Sequence, residues 1–236
     1  MIRPLIRILT LLLCVAPVVS GQRAPLPLPV PKPKAPPVEK LGDNQFRVGN
    51  VRVDTAKHEL KVSGRVNDTQ ALEFIAGTTG GAKNYETAFE LDTDAVMFNT
   101  TLILIGLDKS KGVPSKYRFD PTPPQGDPIE IWIDWDSKDG RKNMRAEDVV
   151  WNIAEKGPLG PGQWVYTGST TLDDGRFLAE MAGVIVGFVH AQEPLIERTT
   201  FRQTAYGMLQ LNPNVGLTPG TVVTFTVKAL PKAQKN

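Results

Sequence analysis

The residues best suited to chemistry in this 236-residue chain gather in one glycine-rich stretch, Gly77-Thr78-Thr79-Gly80-Gly81-Ala82-Lys83-Asn84, followed at once by Tyr85 and Glu86. Glycines let backbone amides approach an anion and a lysine can neutralise it, which is the logic of a phosphate loop. The order departs from that pattern. Ala82, Lys83 and Asn84 stand where glycine, lysine and a hydroxyl residue would close the motif, and no helix follows directly. Two readings stay open: a small-ligand or cation site built from Gly80, Gly81, Lys83, Tyr85 and Glu86, or a strand connection that needs positive backbone angles.

Other constellations are weaker. Asp134, Asp136, Asp139 and Gly140 resemble a calcium loop, but Lys138 occupies the third-ligand position and no glutamate closes it, so the residues read as a hairpin turn. The two histidines, His58 and His190, exclude a three-histidine site within one chain. A hydrolase would have to recruit one of them. Ser169, the serine considered for that role, sits in Thr167-Gly168-Ser169-Thr170, which lacks the strand-to-helix nucleophile elbow. Trp132, Trp135, Trp151 and Trp164 read as core rather than as stacking surfaces. No catalytic residue, metal ligand or cofactor is assigned.

These residues need a compartment and a scaffold. Arg3 and Arg7 precede an apolar run at 8–15, with small residues following at Val18 and Ser20, the layout of a signal peptide over 1–20. The run is shorter than the roughly 20 residues that a membrane-spanning helix needs. The single cysteine, Cys14, lies inside it, so cleavage after Ser20 removes every thiol. A rival reading makes Cys14 a lipidated first residue, although bulky Leu13 precedes it; membrane association then requires that lipid or a retained signal. Of the 27 Lys and Arg, cleavage removes Arg3 and Arg7, which leaves 25 against 25 Asp and Glu. A neutral chain without a basic stripe argues against nucleic acid as a partner.

Residues 25–37 contain seven prolines in thirteen positions, which predicts a polyproline segment reaching roughly 40 Å at about 3.1 Å per residue within an extended stem over 21–43. A single domain is expected over 44–230, followed by a tail at 231–236. Alternating Phe46, Val48, Val51 and Val53, then Leu60, Val62 and Val66, predict a hairpin. Further strands are expected at 71–76 and 87–91, then a helix from Ala95 to Gly106 capped by Thr93 or Asp94. Residues 109–128 read as a long proline-rich surface loop. Ile129, Ile131, Ile133 and Trp135 alternate into a hairpin whose turn contains Asp139-Gly140. Residues 144–151 return as a strand or short helix. Strands are also expected at 164–167, 177–180, 184–190 and 222–227. The expected class is α+β, a predominantly antiparallel β-sheet with one main helix behind a signal peptide and a proline-rich stem.

In order, Leu72-Glu73-Phe74, Gly80-Gly81, Tyr85-Glu86, residues 102–107 and 131–135, Arg145-Ala146-Glu147-Asp148, and residues 164–169 and 184–190 resemble the YdjY-type domain of exported bacterial proteins. The resemblance covers residues 51–227 and rests on order and spacing rather than on one diagnostic motif. It implies a family of unknown function, some of whose relatives occur with ferredoxin-like iron-sulfur sequences. No cluster transfers here, because the mature chain would have no cysteine to ligate one. The resulting expectation is a periplasmic or cell-surface module, non-catalytic, that binds an extracytoplasmic protein or an envelope component. The small-ligand or cation site at Gly80 to Glu86 and an unrecognised hydrolase using His190 are the alternatives.

Overall fold

A computed structural model describes residues 35–200 and 207–231. The expected signal peptide, Cys14, the first part of the stem and residues 232–236 of the tail lie outside the described residues. The chain enters the sheet early. Strand β1 (Glu39–Gly42) falls within the stretch read as stem and pairs antiparallel with β2 (Gln45–Val48), which pairs with β3 (Val51–Asp54), which pairs with β4 (Glu59–Val66).

The expected α+β class is incorrect. The strands that follow close on themselves. β5 (Phe74–Thr78) and β6 (Thr87–Leu91) precede helix α1 (Ala95–Leu104), and β7 (Asp127–Ser137) forms a hairpin with β8 (Gly140–Arg145). Then come β9 (Val150–Asn152), β10 (Gly157–Pro158), β11 (Trp164–Tyr166), the short helix α2 (Leu178–Ala182), β12 (Val184–Gly187), β13 (Ile196–Arg198), β14 (Leu209–Leu211) and β15 (Val222–Ala229).

The hydrogen-bonded order β4-β15-β7-β11-β13-β12-β5-β6 returns to β4, which makes a closed eight-stranded barrel. Six of its pairings are antiparallel, while β12 with β13 and β5 with β6 run parallel, so the sheet is mixed. Local alternation reports that a segment is a strand; it carries no information on which strand closes the ring or in which direction. Closure depends on long strands that serve two neighbours along one edge. β4 pairs with β3 through Glu59 to Lys61 and with β6 through Gly64 to Val66. β7 likewise pairs with β11 through Asp127 to Ile129 and with β8 from Trp132 onward.

The burial pattern follows from this geometry. β7 alternates strictly, with Ile129, Ile131, Ile133 and Trp135 buried, and β15 sends Val223, Phe225 and Val227 into the same interior. β5, β11, β12 and β13 are buried at every position, because loops and helices cover their outer faces. Helix α1 begins at Ala95 as expected, and of the two cap candidates it is Asp94 whose carboxylate accepts the Met97 amide at 2.6 Å. Glu180 of α2 accepts the Ala95 amide at 2.9 Å and ties the two helices together.

One expected strand is a helix. Residues 177–180 enter α2, which stops at Gly183 in the left-handed region, with φ 68°. A run of four residues is too short to separate a period of two from one of 3.6, and Gly183 was the helix-stop signal. β13 escaped notice because Glu197 and Arg198 break its apolar run. Between α1 and β7, the segment expected as a surface loop is pinned to the barrel, as described next.

Candidate functional site

One end of the barrel collects charges that the fold has had to bury. Glu73 lies just before β5 and is 1 % exposed. Its amide donates to the Glu86 carbonyl at 2.9 Å, and its own carbonyl accepts the Val189 amide at 3.3 Å. The 3-10 turn Asn84–Glu86 and the segment after β12 are thereby stitched to the start of β5. Burial raises the Glu73 carboxyl above its ordinary value; Arg118 acts against this and the neighbouring Glu86 charge adds to it. Arg118 donates from Nη2 to Glu73 Oε1.

Glu86, also buried, takes the Lys83 ammonium at 2.9 Å. Burial depresses the Lys83 pKa, but the hydrogen bond and charge of Glu86 outweigh it and the net shift is upward. Lys83 Nζ also stands 6.0 Å from the ring centroids of both Phe74 and Tyr85. Tyr85 is 62 % exposed and Tyr117, next to Arg118, is 56 % exposed.

Behind this group runs a second, sealed network. Glu197 of β13 accepts the Ser115 hydroxyl at 2.7 Å, the Ser115 amide at 3.0 Å and the Ala191 amide at 3.2 Å. Burial raises its carboxyl, partly offset by the Ser115 bonds. His190 faces the Asp120 carbonyl with Nδ1 at 2.6 Å and the Arg198 carbonyl with Nε2 at 2.8 Å. The Asp120 carboxylate accepts the amides of Lys116 and Thr122, which hold it below the usual carboxylate range. Arg198, 1 % exposed, donates through Nη2 to the carbonyls of Gly160 and Pro161, both at 2.8 Å.

Ser115, Arg118 and Asp120 thus turn the loop between α1 and β7 into a strap across this end of the barrel. Sequence reading assigned no role to these residues, nor to Glu73 and Glu197. The signal lay elsewhere: each glutamate interrupts or ends an apolar run of sequence, and a charge there requires a partner if the run is buried.

The structure brings Lys83 and Glu86 together and leaves Tyr85 exposed beside them. Gly80 and Gly81 serve a different purpose. Gly80 has φ 69°, while Gly81 lies against Gly183, where a Cβ on Gly81 would stand 2.8 Å from the Gly183 carbonyl oxygen. The loop's amides bond within the protein: Gly81 to Thr78, Lys83 to Ala182 and Asn84 to Gly81.

Other flagged residues are dispersed. His58 Nδ1 lies 3.0 Å from the Ile105 carbonyl. The Ser169 hydroxyl accepts the Ala179 amide at the start of α2. In the hairpin turn, Arg141 pairs with Asp134 and Asp136, and Ser137 bridges to Gly140. Trp135 and Trp164 are core, and Trp164 Nε1 donates to buried Glu147 at 3.0 Å.

Glu73, Phe74, Gly80, Gly81, Tyr85, Glu86 and His190, the residues that carry the resemblance at this end, therefore occupy one connected structure. The family model of the YdjY domain matches residues 51–228. The chain belongs to the YdjY domain family. No curated protein and no solved structure matches it. The YdjY match begins at β3 and ends within β15, so it takes in every strand of the closed barrel and excludes β1 and β2.

Proposed function

We propose that this YdjY domain is a non-catalytic extracytoplasmic module that binds a protein partner through the surface bearing Tyr85, Tyr117 and Arg118. The observation that carries the reading is a contrast within one cluster. Its carboxylates and imidazole are buried and each engaged by protein groups: Glu73 by Arg118, Glu86 by Lys83, Glu197 by Ser115 and Ala191, and His190 beside two carbonyl oxygens. Its aromatic and guanidinium groups meet solvent, since Tyr85, Tyr117 and Arg118 are all about half exposed or more. Tyr and Arg on a rigid, pre-paired base are the side chains that dominate protein interfaces, because they bury much area with little loss of rotamer freedom. The charged start and apolar run at 1–20 and the prolines of 25–37 support an exported module carried on an extended stem.

The test is photo-crosslinking of the full chain in cells, with benzoylphenylalanine placed at Tyr85 or, as a control, at Lys138 in the β7–β8 turn. A discrete adduct from position 85, lost on Tyr117→Asp and not given by position 138, is the expected result. Equal adducts from both positions, or none from position 85, would overturn the reading.

A further inference from the structure

A separate cleft of about 360 Å³, lined by none of the residues of that cluster, opens beside α1. Its volume falls within the roughly 300–1,000 Å³ of small-molecule sites. Val96 and Phe177 supply apolar wall, and Asn99, Thr100, Lys109 and Thr171 supply polar groups. Among the described residues, Lys109 is the one charged residue in the lining, which also takes in Ala35 and Pro36.

Lys109 is exposed, and three observations set it apart from the other surface lysines. Every Asp and Glu of the chain lies among the described residues, and none forms an ion pair with its ammonium. Its stem is seated on the backbone. Gly168 has φ 75°, and a Cβ there would stand 2.8 Å from Lys109 Cγ, so glycine makes the space in which the lysine chain lies. The seat aims Nζ at the Phe177 ring, 5.2 Å from its centroid. Desolvation lowers the ammonium pKa, a cost that a bound anion would offset.

Asn99 adds donors of the same sense. Its Oδ1 accepts the Tyr166 hydroxyl at 2.6 Å, which fixes the amide and leaves its N–H₂ group to the cleft. The described lining therefore offers one positive charge and an amide donor next to an apolar wall, with no acidic side chain. We infer that this cleft binds a small molecule carrying one carboxylate on an apolar body, with the carboxylate at Lys109 and Asn99 and the body against Val96 and Phe177. A single ammonium matches one negative charge; a doubly charged phosphate would keep half its charge unmatched.

The test uses octanoate and 1-octanol, equal in tail length, titrated into the full chain and followed by amide chemical shifts. Octanoate is expected to saturate, to move Val96, Asn99 and Phe177, and to bind at least about tenfold more tightly than octanol, the effect of a charge-assisted hydrogen bond. Lys109→Met should bring octanoate down to the octanol level, and Lys109→Arg should retain most of its advantage. Equal binding of the two probes, non-saturating shifts, or shifts confined to other parts of the barrel would overturn the assignment without variants. Because Tyr85, Tyr117 and Arg118 are not in this lining, loss of the crosslink on Tyr117→Asp should leave octanoate binding unchanged.

Discussion

The Arg118 guanidinium donates to the Glu73 carboxylate across 45 positions of sequence, and in doing so fastens the strap between α1 and β7 to the first strand of the parallel pair β5 and β6. The carboxylate is 1 % exposed while the guanidinium side is about half exposed. The two partners are therefore unequal. Arg118→Ala leaves a buried charge without its donor and should cost roughly 1–3 kcal/mol in urea unfolding. Arg118→Ala in a Glu73→Gln background should cost much less, since the charge is gone. A double-mutant cycle giving no coupling between the two positions would show that the strap is held by Ser115 and Asp120 alone.

The raised carboxyls of Glu73 and Glu197 set a direction for pH dependence. Between the ordinary glutamate value of 4.5 and their raised folded values, the folded domain holds more protons than the unfolded chain. Stability from these two groups therefore falls as pH rises through that window, then levels off. Asp54, Asp120 and Asp174 are lowered and act oppositely: their contribution is present above 3.8 and is lost as pH falls through their folded values. Urea midpoints from about pH 4.5 to about pH 8 should decline more steeply in the wild type than in Glu73→Gln. Parallel profiles would mean that Glu73 does not titrate in that range.

Much of the fold was legible where one face of a strand meets solvent. The alternation of Ile129, Ile131, Ile133 and Trp135 located β7, and the pair Thr93-Asp94 located the start of α1. Where strands are covered on both sides the period disappears, and β13 was lost behind Glu197 and Arg198. The mixed closed barrel was illegible for a different reason: β4 and β7 each serve two neighbours on one edge, and pairing of that kind is a property of distant segments. At the site, Lys83, Tyr85 and Glu86 were singled out by local order, whereas Arg118 and Ser115 acquire meaning only through partners 45 and 82 positions away.

His190 separates a structural role from a catalytic one. Its ring spans the Asp120 and Arg198 carbonyls, linking the strap to β13. His190→Ala removes both contacts, including the one hydrogen bond that a ring with a single N–H donates, and should cost about 1–3 kcal/mol. A hydrolase using this ring would instead lose an activity while its unfolding midpoint stayed within about 0.5 kcal/mol of the wild type.

The glycine-rich loop permits the same kind of discrimination. An anion cradle would keep its fold when Gly81 gains a methyl group and would lose binding. The structure gives Gly81 a packing role: a Cβ there meets the Gly183 carbonyl oxygen at 2.8 Å, and one on Gly183 would meet Gly81 Cα at 2.3 Å, so neither position has backbone to yield. Overpacking of this kind costs about 1–3 kcal/mol. Gly80 has nothing within 4 Å of a built Cβ, and its φ of 69° makes the cost purely conformational. Gly81→Ala should therefore lower the unfolding midpoint well below the wild type, while Gly80→Asn, a residue that tolerates this backbone region, should nearly match it. If both variants fold like the wild type, the two loops do not touch as tightly as this contact requires, and the amides of Gly80 and Gly81 regain their claim to a ligand.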